Sequence, residues 1–185
     1  IEFRGREAEA RDPLSLRDRG ILRLAFDLAL RRGEIAALEA RDVDLERRFV
    51  AVLGKGKGGR TWMKLPDPTV EALRAWLSIR GTEAGPLFVR LDPAGGALDL
   101  HSRARITGEA IRRMVARRAK QAGIAGPVRP HGLRHAAITL ALERTRDMRK
   151  VQAFSRHSNL RMLQVYDDAR EGLDGLAADE VAAAV

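Results

Sequence analysis

The chain has 185 residues, 45 % of them hydrophobic, and a formal net charge of +9 with 34 basic residues and no cysteine. Its length and apolar content allow one domain with a real core, while the missing thiols exclude disulfides, thiolate metal sites and a cysteine nucleophile. No apolar run approaches the roughly 18 residues of a membrane span and no signal peptide opens the chain, so a soluble, intracellular protein is expected.

The first dozen residues, rich in Arg, Glu and Ala, show no apolar period and are expected to be a mobile lead-in, with Ile1-Glu2-Phe3 a candidate cloning remnant. Ser15 followed by Asp18 resembles a helix start, and Ile21, Leu22, Ala25, Leu28 and Ala29 recur at helical spacing behind it. A break at Arg31-Arg32-Gly33 leads to a second helix, Glu34 to Leu38. Phe49 to Leu53 and Thr61 to Leu65 read as two strands of a hairpin around the loop from Gly54 to Arg60. Pro66 to Arg80 returns to helix, with Val70, Leu73 and Leu77 as its core stripe.

Gly81 to Leu100 is punctuated by Gly and Pro, with one short apolar piece at Leu87-Phe88-Val89. Thr107 then caps a basic helix that reaches about Gln121, and a break from Gly123 to Pro130 follows. Three helices come next, at His131 to Glu143, Asp147 to Phe154 and Asn159 to Ala169, and an apolar-acidic helix at Leu173 to Ala184 ends the chain. The expected fold is α+β, mainly α-helical, with a small antiparallel β-sheet near its first third.

Charge is spread unevenly. Residues 101 to 161 hold 15 basic and 3 acidic residues, whereas residues 162 to 185 hold 1 and 6. Such a block is often a solvated helical face, but this one coincides with the candidate catalytic residues, so a surface that tracks phosphates is the expected reading. Arginine makes up 29 of the 34 basic residues, and its rigid fork suits phosphate, although a GC-rich genome also enriches arginine and alanine.

The basic block also holds four residues of the candidate chemistry, with a fifth just beyond its end. His131, Arg134 and His135 lie at i, i+3 and i+4, on one helical face behind Pro130. Two histidines at i and i+4 can grip zinc, but that motif places a glutamate after the first histidine, where this chain has Gly132. His157 follows, and Tyr166, the only tyrosine, comes nine residues later. Cations can hold a phosphodiester beside such a tyrosine and stabilise a charged transition state, which would make it a nucleophile.

Arg31 and Glu34, three residues apart, are either a surface ion pair worth little or an arginine oriented from behind by a carboxylate, and taken alone the surface pair is the expected reading. The loop Gly54-Lys55-Gly56-Lys57-Gly58 lacks P-loop spacing and the terminal Lys-Ser/Thr, so nucleotide binding is disfavoured. A lysine on a hairpin tip can instead deliver a proton to a leaving oxygen.

Taken in order, these motifs resemble the catalytic domain of tyrosine recombinases of the phage integrase family. The resemblance runs from about Leu14 to Asp168. Its first arginine matches Arg31 in Leu30-Arg31-Arg32-Gly33-Glu34, its acidic neighbour Glu34, and its hairpin lysine Lys55, with Lys57 the lesser candidate. Its His-x-x-Arg-His matches His131, Arg134 and His135, and its last histidine and tyrosine match His157 and Tyr166. The chain departs at Ser155-Arg156, where many members have Leu-Gly, and at Gly33, where a serine or similar residue often starts the second helix.

The resemblance implies a site-specific recombinase that needs no cofactor and no metal. Tyr166 would attack a DNA phosphate and form a 3′-phosphotyrosyl bond, with Arg31, Arg134, His131 and His157 around the phosphate. Lys55 would act as the acid, and Glu34 and His135 as supports behind the contact residues. It implies double-stranded DNA as partner, a monomer in isolation and a homotetramer on DNA, no membrane, and a place for accessory DNA-bending proteins. It also implies a bacterial or phage-encoded cytoplasmic protein associated with the nucleoid. Residues 1–13 would be a linker remnant, 14–170 the catalytic domain, and 171–185 a tail helix docking on a neighbouring subunit. No N-terminal DNA-binding domain precedes the motifs, so an excised catalytic domain is expected. A type IB topoisomerase, or a DNA-binding module without catalysis, are the alternatives.

Overall fold

The computed structural model describes residues 12–54, 59–91 and 104–157, which fall into two units, one ending at His135 and one beginning at Ala136. Helix α1 runs Pro13–Asp27. It begins earlier than Ser15 and Asp18 predict, because Asp12 is the cap: its Oδ2 accepts the Ser15 N–H at 2.9 Å. Pro13 fills the first turn, where its missing N–H would have had no partner. Asp18 is not a cap residue but a buried carboxylate of the helix interior.

Helix α2, Arg32–Ala37, starts two residues before the predicted segment, and a 3₁₀ turn at Ala40–Asp42 follows. Strands β1 (Val43–Asp44), β2 (Phe49–Leu53) and β3 (Arg60–Lys64) form one antiparallel sheet in that order. The sequence predicts β2 and β3, displaced by one residue for β3. It misses β1, whose two residues are too few to show an alternation. Val50 pairs with Met63 and Val52 with Thr61, so one register face supplies valines to the core. On the other face Phe49, Leu53 and Trp62 are exposed.

Helices α3 (Asp67–Arg80), α4 (Gly108–Gln121), α5 (Pro130–Thr145) and α6 (Met148–Ser155) complete the described elements. Each lies within two residues of its predicted bounds. The predicted helices at Asn159–Ala169 and Leu173–Ala184 lie outside the described residues, as do the hairpin tip 55–58 and residues 92–103. Among the described residues no helix is long and apolar enough to cross a membrane.

The first unit has one core. α1 packs on α3, and α2 on α4. The buried side of α3 is Val70, Leu73 and Trp76, with Leu77 only partly covered. Trp76 displaces Leu77 from the expected stripe because residues 87–88 fold over it: its indole donates to the Leu87 carbonyl at 2.8 Å and its ring stacks near Phe88. Gly20 is buried in mid-helix because a Cβ there would come within 3.3 Å of the Phe88 ring. In the second unit Ala137, Ile138, Leu142 and Val151 are buried. The fold is therefore mainly α-helical with a three-stranded antiparallel sheet near its first third, as the sequence predicts.

Candidate active site

The turn that leaves α1 carries Arg31. Ala29 adopts a left-handed conformation with φ 48°, which costs a residue with a Cβ about 1–2 kcal/mol. The next residue, Leu30, sends its N–H back to the Leu24 carbonyl at 3.3 Å. Arg31 then caps α2 in an extended conformation. Glu34, one turn into that helix, grips Arg31 twice: Oε2 accepts the Arg31 backbone N–H and Oε1 accepts from Nη1, both at 2.8 Å. Glu34 is nearly covered, whereas the Arg31 side chain stays 37 % exposed. The carboxylate therefore fixes one edge of a guanidinium that still faces solvent. This geometry favours the orienting reading of the pair over that of a loose surface ion pair.

The far end of α2 is held too. Arg105 donates from Nη1 to the carbonyls of Ala36 at 2.9 Å and Leu38 at 3.3 Å, and pairs with Glu39. A cation there satisfies the helix's orphan carbonyls and complements its dipole. A six-residue helix has little stability of its own, so these two clamps keep Arg31 in place. Nothing in the sequence near Arg105 signals this role, because its partners lie about seventy positions away.

Arg134 comes from the first turns of α5 and is 2 % exposed. Its Nη1 donates to the Ala29 carbonyl. The guanidinium of Arg134 is thus anchored on the turn that presents Arg31 two residues later. His131 and His135 sit on the same helix and are both exposed.

In the second unit, His157 lies two residues past the end of α6. Arg156 takes the left-handed capping position, φ 55° and ψ 38°, where a glycine would sit without strain. His157 is 9 % exposed, and its Nδ1 lies 3.0 Å from Ser155 Oγ. The Gln152 side chain donates to the His157 carbonyl at 3.2 Å. Lys55, Lys57 and Tyr166 lie outside the described residues.

The basic block divides in two. Arg117 and Arg118 reach across from α4 to Asp18, at 2.7 and 2.9 Å, and Arg17 pairs with the same carboxylate at 2.8 Å. These side chains, like Arg105, are engaged by the protein's own carboxylates and carbonyls rather than left open on the surface. Arg112 is tied to Glu109 by hydrogen bonds that hold that carboxyl below its usual range. Arg113, Lys120 and Arg129 are exposed in the first unit, and Arg144, Arg149 and Lys150 in the second. The sequence missed Asp18 as the centre of this network. Its only local signal is the adjacent Arg17-Asp18 pair.

The phage integrase family matches residues 6–172. A tyrosine recombinase of Synechocystis sp. is 42 % identical over 157 residues, covering 83 % of this chain and 48 % of that protein. Tyrosine recombinase XerC of Mycobacterium leprae is 39 % identical over 160 residues, covering 86 % and 52 %. The chain spans about half the length of the curated relatives it matches. Among solved structures, XerA recombinase has a TM-score of 0.71 at 25 % identity, covering 97 % of this chain and 66 % of that one. The XerH recombinase bound to a palindromic difH substrate shares the fold, with a TM-score of 0.71 at 22 % identity over 90 % of this chain and 46 % of that one. With most of its residues matched, this chain belongs to the phage integrase family, the tyrosine recombinases.

Proposed function

We propose that this chain is the catalytic part of a site-specific recombinase that cuts and rejoins duplex DNA through Tyr166. The observation that carries the reading is the Arg134 contact with Ala29. It ties a guanidinium from α5 to the turn bearing Arg31, whose own guanidinium is braced by Glu34 and open to solvent. Two oriented arginines can offer paired donors to the non-bridging oxygens of one phosphodiester, where charge grows in the transition state.

In the proposed step the Tyr166 oxygen forms a bond to phosphorus and the bond from phosphorus to the 5′ oxygen breaks. The tyrosine's proton passes to His157 or His131, and Lys55 gives its proton to the leaving 5′ oxygen. A tyrosine has a pKa near 10, so it needs this help at neutral pH. A second 5′-hydroxyl then attacks the 3′-phosphotyrosyl bond, which conserves the bond energy. The cationic side chains take the place that metal ions fill in other phosphoryl transfers. His135 supports its neighbours on α5.

The proposal extends to assembly: a monomer in isolation and a tetramer on duplex DNA, with residues 14–170 as the catalytic domain. Residues 171–185 would dock on a neighbouring subunit, and accessory DNA-bending proteins would shape the site. A cytoplasmic, nucleoid-associated protein of a bacterium or phage fits this role.

The test uses a supercoiled plasmid carrying two copies of the host element's end sequence. Recombinant circles of defined size are expected. Relaxed topoisomers alone would point to a type IB topoisomerase, and binding without either product to a non-catalytic module.

A further inference from the structure

The hairpin formed by β2 and β3 is anchored by charge at the base of its tip. The last register pair before the tip is Leu53 with Arg60. Gly54 and Gly59 follow on either side, close enough that a Cβ on Gly54 would lie 3.8 Å from the Gly59 carbonyl oxygen. Four of the six residues from 54 to 59 are glycine, and the other two are Lys55 and Lys57. Glycines bring no side chain that could pack on the body of the domain, so the flanking residues must set the direction of the tip.

Arg60 is placed to do so. It opens β3, and its Nη1 forms an ion pair with Oδ1 of Asp42, which immediately precedes β1 on the other side of the sheet. The pair therefore crosses β2. Ala51, which alternates with the core valines and so belongs to the outer face of β2, is small and buried there. The Asp42 side chain is 3 % exposed and that of Arg60 41 %. Asp42 is itself fixed, because its Oδ2 accepts the Glu39 N–H at 2.9 Å. Glu39 in turn pairs with Arg105, which donates to the Ala36 and Leu38 carbonyls at the end of α2. One line of charged contacts thus runs from the hairpin base to the helix that Arg31 caps.

We propose that Arg60 is a positioning residue that aims the hairpin, and with it Lys55, at the leaving 5′ oxygen of the phosphate that Arg31 holds. This rests on the reading of Lys55 as the acid. A general acid works only within hydrogen-bond reach of the oxygen it protonates. A small displacement of the tip therefore costs rate without costing affinity. The rival use of a part-exposed guanidinium, a direct contact with a DNA phosphate, would act on binding instead of proton delivery.

The experiment compares single-turnover cleavage of two nicked duplexes carrying the element's end sequence, one with oxygen and one with sulfur as the bridging 5′ atom. On oxygen, Arg60→Ala should cleave about 10- to 100-fold more slowly at unchanged DNA affinity. Arg60→Lys, which keeps a cation for Asp42, should recover most of the rate. Asp42→Asn severs the pair from the other side while keeping an oxygen for the Glu39 N–H, and should share the defect of Arg60→Ala. On sulfur, which leaves as a thiolate without a proton, Arg60→Ala and Asp42→Asn should both cleave like wild type. A defect that persists on sulfur, or a loss of DNA affinity, overturns the proposal. Hydrogen exchange reads the anchor apart from the chemistry: amides beside the tip, at the ends of β2 and β3, should exchange faster in Arg60→Ala while those of α1 and α3 stay unchanged. Unchanged exchange beside the tip also overturns the proposal. Failure of sulfur to rescue Lys55→Ala overturns the acid reading of Lys55 instead, and the exchange rates still decide whether Arg60 holds the hairpin.

Discussion

Glu34 makes two separable contributions, and replacing it by Gln or by Ala pulls them apart. Its Oε2 caps α2 through the Arg31 N–H, and its Oε1 braces the Arg31 guanidinium. Glu34→Gln retains a carbonyl oxygen for the cap but can no longer offer an anion to the guanidinium. Glu34→Ala loses both. The cap is worth about 1 kcal/mol. The ion pair adds less than about 1 kcal/mol to stability, because Arg31 is 37 % exposed and screened by solvent. Glu34→Ala should therefore melt lower by about 2–4 °C for each kcal/mol lost, and Glu34→Gln by less.

The catalytic effect should run differently. An unbraced guanidinium must be oriented at the transition state, and one charge-assisted hydrogen bond is worth about 1.5–3 kcal/mol. Cleavage by Glu34→Gln should fall roughly 10- to 100-fold. Circular-dichroism melting and single-turnover cleavage of a nicked duplex read the two effects. The reasoning is refuted if Glu34→Gln cleaves at the wild-type rate while Arg31→Ala is inactive, or if both Glu34 variants melt equally low.

Asp18→Ala should destabilise the chain by about 3–5 kcal/mol in urea denaturation, because it breaks the buried Arg17–Asp18 pair and removes the carboxylate that Arg117 and Arg118 share; a loss below about 1 kcal/mol would contradict that placement. If Lys55 protonates the leaving oxygen, a substrate with sulfur as the bridging 5′ atom should restore cleavage to Lys55→Ala and leave Arg31→Ala and Arg134→Ala impaired. Equal rescue of all three, or rescue of Lys57→Ala instead, would remove the role. The log–log salt slope of DNA binding should be steep, at roughly −0.9 per neutralised phosphate. Replacing exposed Arg113 and Lys120 with alanine should flatten it by about 1.8, and an unchanged slope would exclude both from the interface.

What the sequence disclosed followed from range. His131, Arg134 and His135 are read as one face because three and four residues make one helical turn, yet Arg134 is buried while both histidines are exposed. Helix α1 was misdated at its start because Ser15 and Asp18 look like a cap, while Asp12 and Pro13 do the capping. Leu77 held the expected stripe of α3 until residues 87–88 covered Trp76 from the other side. Asp18 and Arg105 were silent because their partners sit far along the chain. Burial of charge is a tertiary matter, and no local pattern announces it. Ser155 and His157 were legible as neighbours two positions apart. Their hydrogen bond depends on the left-handed turn at Arg156, which sequence spacing does not reveal.

The central claim is tested most directly by mapping the covalent bond itself. Wild-type chain is incubated with a nicked duplex bearing the element's end sequence, and the adduct is digested and sequenced by mass spectrometry. The account predicts a single DNA-linked peptide, joined through Tyr166 to a 3′ phosphate with a free 5′-hydroxyl on the released strand, and no adduct from Tyr166→Phe. A linkage to a 5′ phosphate, an adduct on another residue, or an adduct that survives in Tyr166→Phe would contradict it.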